Sequence, residues 1–346
     1  MKPRSYLILL LLPCLVPLGY YLGDWWNFIT PLCCFAAYPV ANLFFTSSEK
    51  QAHDKDICSS SKNNQAIFLF IPVLMLLTAW SVYIAGTKPV SIVSFTGLAL
   101  SVGLINGIIG FTLAHEFIHR FKKFELFAGY LLLLQNNYMH YGIEHVYGHH
   151  IYACTPKDPH TAREGESLYA FLPRAIAGTF INAWKIETRR LSRRISKNKL
   201  IHNRIIYFLA LQFCLMLCVF LMLNLSALLF FIIQNAVSIL LLHVINYLQH
   251  YGLIRQKNST GSYEKMNEHH AWRTGRKNTS LNLFQLENHA DHHMHPHKSF
   301  EKLERKENSP EHPAGYSFMV LLALVPPLWF RMMNKRIPSP VSNTSL

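Results

Sequence analysis

Long apolar runs dominate the first third of the chain and return after residue 200. A transmembrane helix needs about 20 predominantly apolar residues, and six runs have roughly that length. The six predicted spans cover residues 5–23, 25–45, 66–84, 89–114, 205–223 and 227–247. Short turns join neighbouring runs, so the pattern predicts helical hairpins that cross a membrane.

Two further apolar stretches do not fit a simple span. Polar side chains, among them Gln135 and Asn136, interrupt the run 124–141, which we therefore expect not to cross the membrane. The run 318–330 is short and contains two adjacent prolines. It predicts an interfacial segment that packs on the helix bundle.

Basic residues orient the predicted bundle. Lys2 and Arg4 precede the first span, and the segment 163–204 is rich in arginine and lysine, whereas the turn at Asn224 is uncharged. Because lysine and arginine near span ends prefer the cytoplasmic side, both termini are predicted to be cytoplasmic. The two long hydrophilic segments on that side cover residues 115–204 and 248–316.

Composition agrees with the hydropathy pattern. The 346 residues are 51% hydrophobic and only 15% charged, which is typical of an integral membrane protein. We therefore predict one all-α domain, residues 1–346, in which a six-helix transmembrane bundle carries a cytoplasmic histidine-rich cap.

The net charge of +14 favours anionic lipid and acidic protein partners, and nucleic-acid binding is excluded for such a bundle. The seven cysteines form no CxxC pair and predict neither disulfides nor an iron–sulfur module.

Histidines supply the candidate chemistry. Nine of them lie in four clusters: His115 and His119 in HEFIHR, His145, His149 and His150 in EHVYGHH, His250 in NYLQHYGL, and His289, His292 and His293 in NHADHH. Residues four apart share a helix face, so His145 is expected to pair with His149, while His150 points elsewhere. Nine imidazoles exceed what one ion needs. The spacing therefore predicts two metal ions.

Other interpretations of the histidines are weaker. HEFIHR also matches the HExxH pattern of zinc proteases, but a hydrolytic zinc normally has three protein ligands and a water. Nine histidines favour a redox metal such as iron instead. A single histidine on an apolar helix, such as His250 or His243, is most often a packing residue. Histidines outside the clusters, including His160, His270 and His312, are expected to be solvated or to cap local turns.

The four motifs resemble those of the integral-membrane alkane 1-monooxygenases, non-haem di-iron hydroxylases related to fatty-acid desaturases and xylene monooxygenase. NYLQHYGL distinguishes this family from the fatty-acid desaturases, which share three histidine boxes. The resemblance continues through HHIYACTPKDPHTAREGES and HPAGYSFMVLLALVPPLWF, and it covers about residues 90 to 336.

This resemblance implies that the nine histidines bind two iron ions. It also implies hydroxylation of the terminal carbon of a medium-chain alkane, or a related apolar chain, to a primary alcohol with dioxygen. Electrons would come from a rubredoxin-like carrier and its NAD(P)H-dependent reductase. Asp158 matches an acidic position of the family, and three carboxylates lie beside ligands: Glu116, Glu144 and Asp291. All four are candidates to accept imidazole N–H bonds and fix the tautomer.

Some positions depart from the family pattern. Gln249 replaces a glutamate before His250, Glu287 and Asn288 replace Gln-Arg, and Met294 with His295 replaces Ala-Asn. None of these changes removes a candidate metal ligand. They affect the residues around the ligands and the range of substrates. Three alternatives remain: a di-iron fatty-acid desaturase or hydroxylase, a xylene-type monooxygenase, and a histidine-based metal transporter. Transport would favour ionisable residues midway through several spans, and the span interiors here are almost uncharged.

Overall fold

The structure of the chain is a computed structural model. It describes residues 9–37, 39–40, 67–194, 199–274 and 284–338. It divides into two compact units. The first comprises Met1–Met139, Ile206–Leu242 and Arg276–Gln285, and the second comprises His140–Ile205, His243–Gly275 and Leu286–Leu346. Within the described ranges, every regular element is a helix.

The main helices are labelled α1 to α10 in chain order. They are α1 (Leu11–Leu22), α2 (Ile67–Thr87), α3 (Ile92–Ile118), α4 (Lys123–Gln135), α5 (Leu168–Arg194), α6 (Arg204–Met222), α7 (Leu225–His250), α8 (His289–Met294), α9 (Tyr316–Ala323) and α10 (Pro326–Met333). Between α4 and α5, the segment 141–152 combines α-helical turns with a π-helical turn at His145–His149.

Four of the six predicted spans are confirmed. In the described residues, α2, α3, α6 and α7 are long and apolar enough to cross a membrane, with mean hydropathies between 2.0 and 2.6. Most of α6 is exposed apolar surface, as expected for a helix that faces lipid. Both α3 and α7 extend beyond their apolar runs. These extensions carry His115 and His250 in the last helical turns.

The two N-terminal predicted spans are not reproduced as long helices in the described residues. The α1 helix has 12 residues, contains Pro17 and stops at Gly23, whose φ of 92° is left-handed. The chain then forms the 3-10 turn Asp24–Phe28 and the short helix Ile29–Leu32. Residues 5–8, 38 and 41–45 of these runs lie outside the described ranges. The six-span count and the cytoplasmic cap stay predictions.

The two interrupted stretches contain short helices. The run 124–141 holds α4, whose 13 residues fall short of the membrane thickness. The run 318–330 is divided between α9 and α10, which have eight residues each. All three helices are shorter than the length a transmembrane helix needs, as expected for these two stretches.

Close backbone contact and uncharged hydrogen bonds hold the first unit together. A Cβ at Gly103 of α3 would lie 2.6 Å from Val237 Cβ and 2.7 Å from the carbonyl oxygen of Gln234 in α7. Asn106 Nδ2 donates to Thr78 Oγ1 and to Gln234 Oε1, each at 3.0 Å. Small residues and polar bridges of this kind stabilise helix pairs where burial from water cannot.

A glycine turn sets the chain direction directly after α7 in the second unit. Gly252 has a φ of 70°, and a Cβ there would lie 2.4 Å from Ile337 Cδ1. Its N–H donates to the carbonyl of Ala162 at 2.9 Å. The returning chain then pairs Trp272 N–H with the carbonyl of Gln249, which brings the segment 270–274 beside the end of α7.

Candidate metal centre

The HEFIHR histidines lie at the end of α3 in the first unit. The α-helical turns continue to Ile118, and His119 follows as the C-cap with helical dihedral angles. Both imidazoles are buried, and their ring centroids are 5.1 Å apart. His115 and His119 therefore lie side by side, as their spacing predicts.

The expected pairing of His145 with His149 is wrong. These residues begin and end a π-helical turn, which contains more residues per turn than an α-helix. Residues five apart consequently align, and Nε2 of His150 lies 3.1 Å from Nε2 of His145. His149 points to a different set of ligands. The π-turn thus divides one short motif between two histidine groups.

The three-histidine group of the second unit consists of His145, His150 and His292. Nε2 of His150 lies 3.1 Å from Nε2 of His145 and 3.1 Å from Nε2 of His292. His145 and His292 are buried, and His150 is half-buried. Three imidazole nitrogens thus converge from the π-turn and from α8.

The four-histidine group consists of His149, His250, His289 and His293, all buried. Nε2 of His289 lies 3.1 Å from Nε2 of His250 and 3.0 Å from Nε2 of His293. The four ligand atoms all lie within 4.8 Å of one another. Because His289 and His293 are four residues apart on α8, they share a face.

Both groups fit a metal ion. Bonds of about 2.0–2.1 Å from a metal to imidazole nitrogen place neighbouring ligand atoms about 3 Å apart. The measured separations of 3.0 and 3.1 Å agree with this value. Burial, reinforced by neighbouring His150 and His289, holds the pKa of His293 well below its usual range. A neutral imidazole results, which is the form that binds metals.

Asp158 contacts one of the candidate ligands. Its Oδ2 lies 3.0 Å from Nδ1 of His149. Burial by itself would raise the pKa of Asp158, but the contact with His149 and the Thr161 hydroxyl hold that pKa well below the usual range. The charged carboxylate accepts a hydrogen bond from the Nδ1–H of His149. Nε2 of His149 is therefore left to bind a metal.

A backbone carbonyl orients a second ligand. Nδ1 of His250 lies 3.2 Å from the carbonyl oxygen of His270, which only accepts, so Nε2 faces the four-histidine group. Cys154 Sγ donates to the same carbonyl at 3.0 Å and lies 3.5 Å from His250 Nδ1. Burial raises the pKa of the Cys154 thiol, which stays protonated. The cysteine pattern in the sequence gives no sign that Cys154 lies beside His250.

Glu144 contacts a histidine outside the nine. Its Oε2 lies 2.8 Å from Nε2 of His160, and both side chains are fully buried. The ring of His160 lies 5.0 Å from that of His149, centroid to centroid, and stacks on His243 at 5.2 Å. Burial lowers the pKa of His160, but the Glu144 carboxylate outweighs it and raises the pKa above its ordinary value.

The expectation of solvated or capping histidines is therefore wrong for His160. It is also wrong for His312, which is buried and whose Nε2 donates to the carbonyl of Leu248 at 3.1 Å. Burial lowers the pKa of His312 to about 3. His270 does cap a turn with Asn267, although it too is buried.

The other two predicted carboxylates bind basic side chains. Glu116 forms an ion pair with Arg120. Asp291, fully buried in α8, contacts Lys298 at 2.8 Å and Lys306 at 3.1 Å, and accepts a backbone N–H from residue 304. Asp291 thus fastens α8, which carries three of the candidate ligands, to the chain that follows it.

Comparison with known proteins agrees with this arrangement. The fatty acid desaturase family model matches residues 91–320. The chain is 32% identical, over 97% of its length, to alkane 1-monooxygenase 2 of Alcanivorax borkumensis, with 91% of that protein covered. The same identity and coverages hold for alkane 1-monooxygenase 1 of Pseudomonas aeruginosa. Identity is 25% to the xylene/toluene monooxygenase hydroxylase component of Pseudomonas putida, over 96% of the chain and 88% of that protein. The chain belongs to the fatty acid desaturase family, in its alkane 1-monooxygenase branch, and is an oxidoreductase of the membrane.

Proposed function

We propose that this protein is a di-iron monooxygenase that hydroxylates the terminal carbon of a medium-chain alkane, or a related apolar chain, to a primary alcohol. The observation that carries this proposal is the four-histidine group, whose buried ligand atoms lie within 4.8 Å of one another. The names of the relatives, alkane 1-monooxygenases, support the substrate class.

The ligands are divided between two irons. His149, His250, His289 and His293 hold one ion, and the three-histidine group holds the other. The HEFIHR histidines, His115 and His119, bind iron as well, on the strength of the motif and of their shared helix face. Purely nitrogen ligation without thiolates suits iron among the redox metals.

The residues of the chain bind and orient the metals. When bound, the iron pair supplies the activation of dioxygen, which is the second substrate. Asp158 and the His270 carbonyl hold His149 and His250 in the tautomer that presents Nε2. The ligands' burial excludes water from the reacting centre. Apolar spans such as α6 admit a hydrocarbon from the lipid phase.

Electrons come from a separate protein. We propose a rubredoxin-like carrier, served by an NAD(P)H-dependent reductase, because the net charge of +14 attracts an acidic partner. The distribution of lysine and arginine supports an inner-membrane location in which both termini and the histidine segments are cytoplasmic.

The test is turnover by the purified protein in lipid nanodiscs. Iron is quantified first, and octane is then supplied with oxygen, rubredoxin and its reductase. We expect 1-octanol only when iron, oxygen and reductant are all present, and no product from His293→Ala. Alkene in place of alcohol would indicate a desaturase. The similarity to the xylene/toluene enzyme favours methyl hydroxylation of an aromatic substrate as a second candidate, so p-xylene is assayed in parallel.

A further inference from the structure

Buried tyrosine and tryptophan rings follow one another through the second unit, beside the four-histidine group. We name Trp272, Tyr251, Trp329 and Tyr247 the aromatic chain, and all four are at most 1% exposed. The indole Nε1–H of Trp272 donates to the carbonyl of Tyr251 at 2.8 Å. The Trp329 ring lies 5.2 Å from that of Tyr251 and 5.1 Å from that of Tyr247, centroid to centroid. The imidazole of His312 stacks on Trp272 at 5.3 Å.

Backbone connections join Trp272 and Tyr251 to His250, one of the four-histidine group. His250 Nδ1–H donates to the carbonyl of His270, which lies two residues before Trp272. Tyr251 follows His250 directly. Trp272 N–H also donates to the carbonyl of Gln249, on the other side of the same ligand. Short covalent and hydrogen-bonded connections thus join His250 to an indole and a phenol.

The phenolic hydroxyls of Tyr251 and Tyr247 contact residues that are at least partly exposed. The hydroxyl of Tyr251 donates to Asn334 Oδ1 at 2.7 Å and accepts the N–H of Gly165 at 2.9 Å. Asn334 is partly exposed and Gly165 is exposed. The hydroxyl of Tyr247 donates to the carbonyl of Glu166 at 2.8 Å. The phenolic proton of Tyr251 therefore has a short hydrogen-bonded path to solvent through Asn334.

We propose that the aromatic chain conducts one-electron oxidising equivalents away from the metal centre when no substrate is present. Tryptophan and tyrosine are the neutral side chains most readily oxidised by one electron, and closely spaced rings pass that oxidation along. Trp272 is connected to the other three by its hydrogen bond to the Tyr251 carbonyl and by the His312 ring, which lies 6.5 Å from the Trp329 ring. The inference rests on the proposed function, because oxygen reduction at the centre supplies the oxidising equivalent.

The transfer balances in electrons and protons. Trp272 gives one electron to the centre and recovers one from Tyr251, across its hydrogen bond to the Tyr251 carbonyl or through His312 and Trp329. Tyr251 loses that electron and its phenolic proton, which passes toward Asn334 and solvent. The neutral tyrosyl radical then takes one electron and one proton from a small thiol or from the electron carrier, which restores the phenol.

The experiment incubates iron-loaded protein with oxygen and reductant but without alkane. Radicals are trapped by rapid freezing and detected by electron paramagnetic resonance, and oxidised residues are located by peptide mass spectrometry. We expect a tyrosyl signal in the unaltered protein, with oxidation products on the aromatic chain. In Trp272→Phe, we expect that signal to be lost and oxidation of the ligand histidines to rise several-fold.

Two further variants keep the test decisive. Tyr251→Phe preserves the ring and its packing but has no phenolic proton, so the tyrosyl signal disappears while oxidised Trp272 accumulates. It serves in place of Trp272→Phe if that variant binds no iron. Tyr263→Phe removes a half-buried tyrosine that lies against Lys257, outside the aromatic chain, and we expect no change.

The outcomes separate this inference from the proposed function. Equal radical signals and equal histidine oxidation in the unaltered protein and in Tyr251→Phe would overturn the inference while alcohol formation from octane continued. Absence of oxygen consumption by iron-loaded protein would instead overturn the proposed function, and the inference with it.

Discussion

Oδ2 of Asp158 lies 3.0 Å from Nδ1 of His149, and neither side chain is accessible to solvent. Two further donors fix the carboxylate: the Thr161 hydroxyl reaches the same oxygen at 2.6 Å, and the N–H of His160 reaches Oδ1 at 3.1 Å. The carboxylate therefore cannot turn away from the imidazole. It holds His149 in one tautomer with Nε2 toward the four-histidine group.

Replacement of Asp158 by asparagine should weaken metal binding. The amide keeps the shape of the side chain but is a poorer acceptor for the Nδ1 proton of His149. Loss of such a support typically lowers metal affinity about 10–100-fold. Competition with a chelator measures the affinity. Glu164→Gln is the control, since it removes a carboxylate at an exposed position. Equal affinity in Asp158→Asn and the unaltered protein would contradict the assignment.

Alanine at Gly148 should disturb the π-turn. Its Cβ would lie 2.8 Å from Glu144 Oε1 and 3.1 Å from Ile186 Cδ1, and Glu144 is held by His160. Overpacking of this kind destabilises a protein by about 1–3 kcal/mol. Thermal unfolding and metal content measure the effect. Gly110→Ala, in the π-turn Asn106–Gly110, meets only ordinary contacts at 3.6 Å or more and should be tolerated. Comparable unfolding temperatures for the two variants would refute this prediction.

Asp291→Asn should loosen α8. The buried carboxylate binds Lys298 and Lys306, and an amide cannot hold both ammonium groups. We expect a loss of about 1–3 kcal/mol in the free energy of unfolding, with lower occupancy of both metal positions. Glu304 contacts the same lysines but is largely exposed, so Glu304→Gln should cost less than about 1 kcal/mol. Chemical denaturation measures both losses. A larger loss for Glu304→Gln than for Asp291→Asn would contradict the role given to Asp291.

Acidification should release a buried ion pair between α5 and the start of α6. Burial would raise the pKa of Glu187, but hydrogen bonds from Arg190 and Arg204 lower it from 4.5 to about 2. A depressed folded pKa means that Glu187 stabilises the protein above pH 4.5, and that this contribution is lost as pH falls toward 2.

Glu187→Gln should therefore be less stable than the unaltered protein at pH 7, by about 1–2 kcal/mol, because two arginines lose their acceptor. The difference should shrink progressively below pH 4.5. Thermal unfolding at pH 7, 4 and 3 measures it, with Glu164→Gln as the control at an exposed position. A difference that does not depend on pH would show that the carboxylate charge is not the cause.

Some of this protein could be read from its sequence because the physical signals are local. Apolar runs of the membrane thickness mark α2, α3, α6 and α7, since a spanning backbone must satisfy its own hydrogen bonds. Histidine pairs at helical spacing, such as His289 and His293, identify a metal site because an α-helix aligns residues four apart.

Other features depend on contacts between residues far apart in the chain. The π-turn divides His145 from His149, and an α-helical repeat assumed for that motif gives the wrong partners. His160 carries no local sign of burial, yet Glu144 and the ring of His149 surround it. Spacing along the chain determined which side chains could bind metal. The tertiary fold decided which imidazoles meet and which carboxylate or carbonyl orients each one, because those choices depend on directions in space that a one-dimensional repeat does not contain.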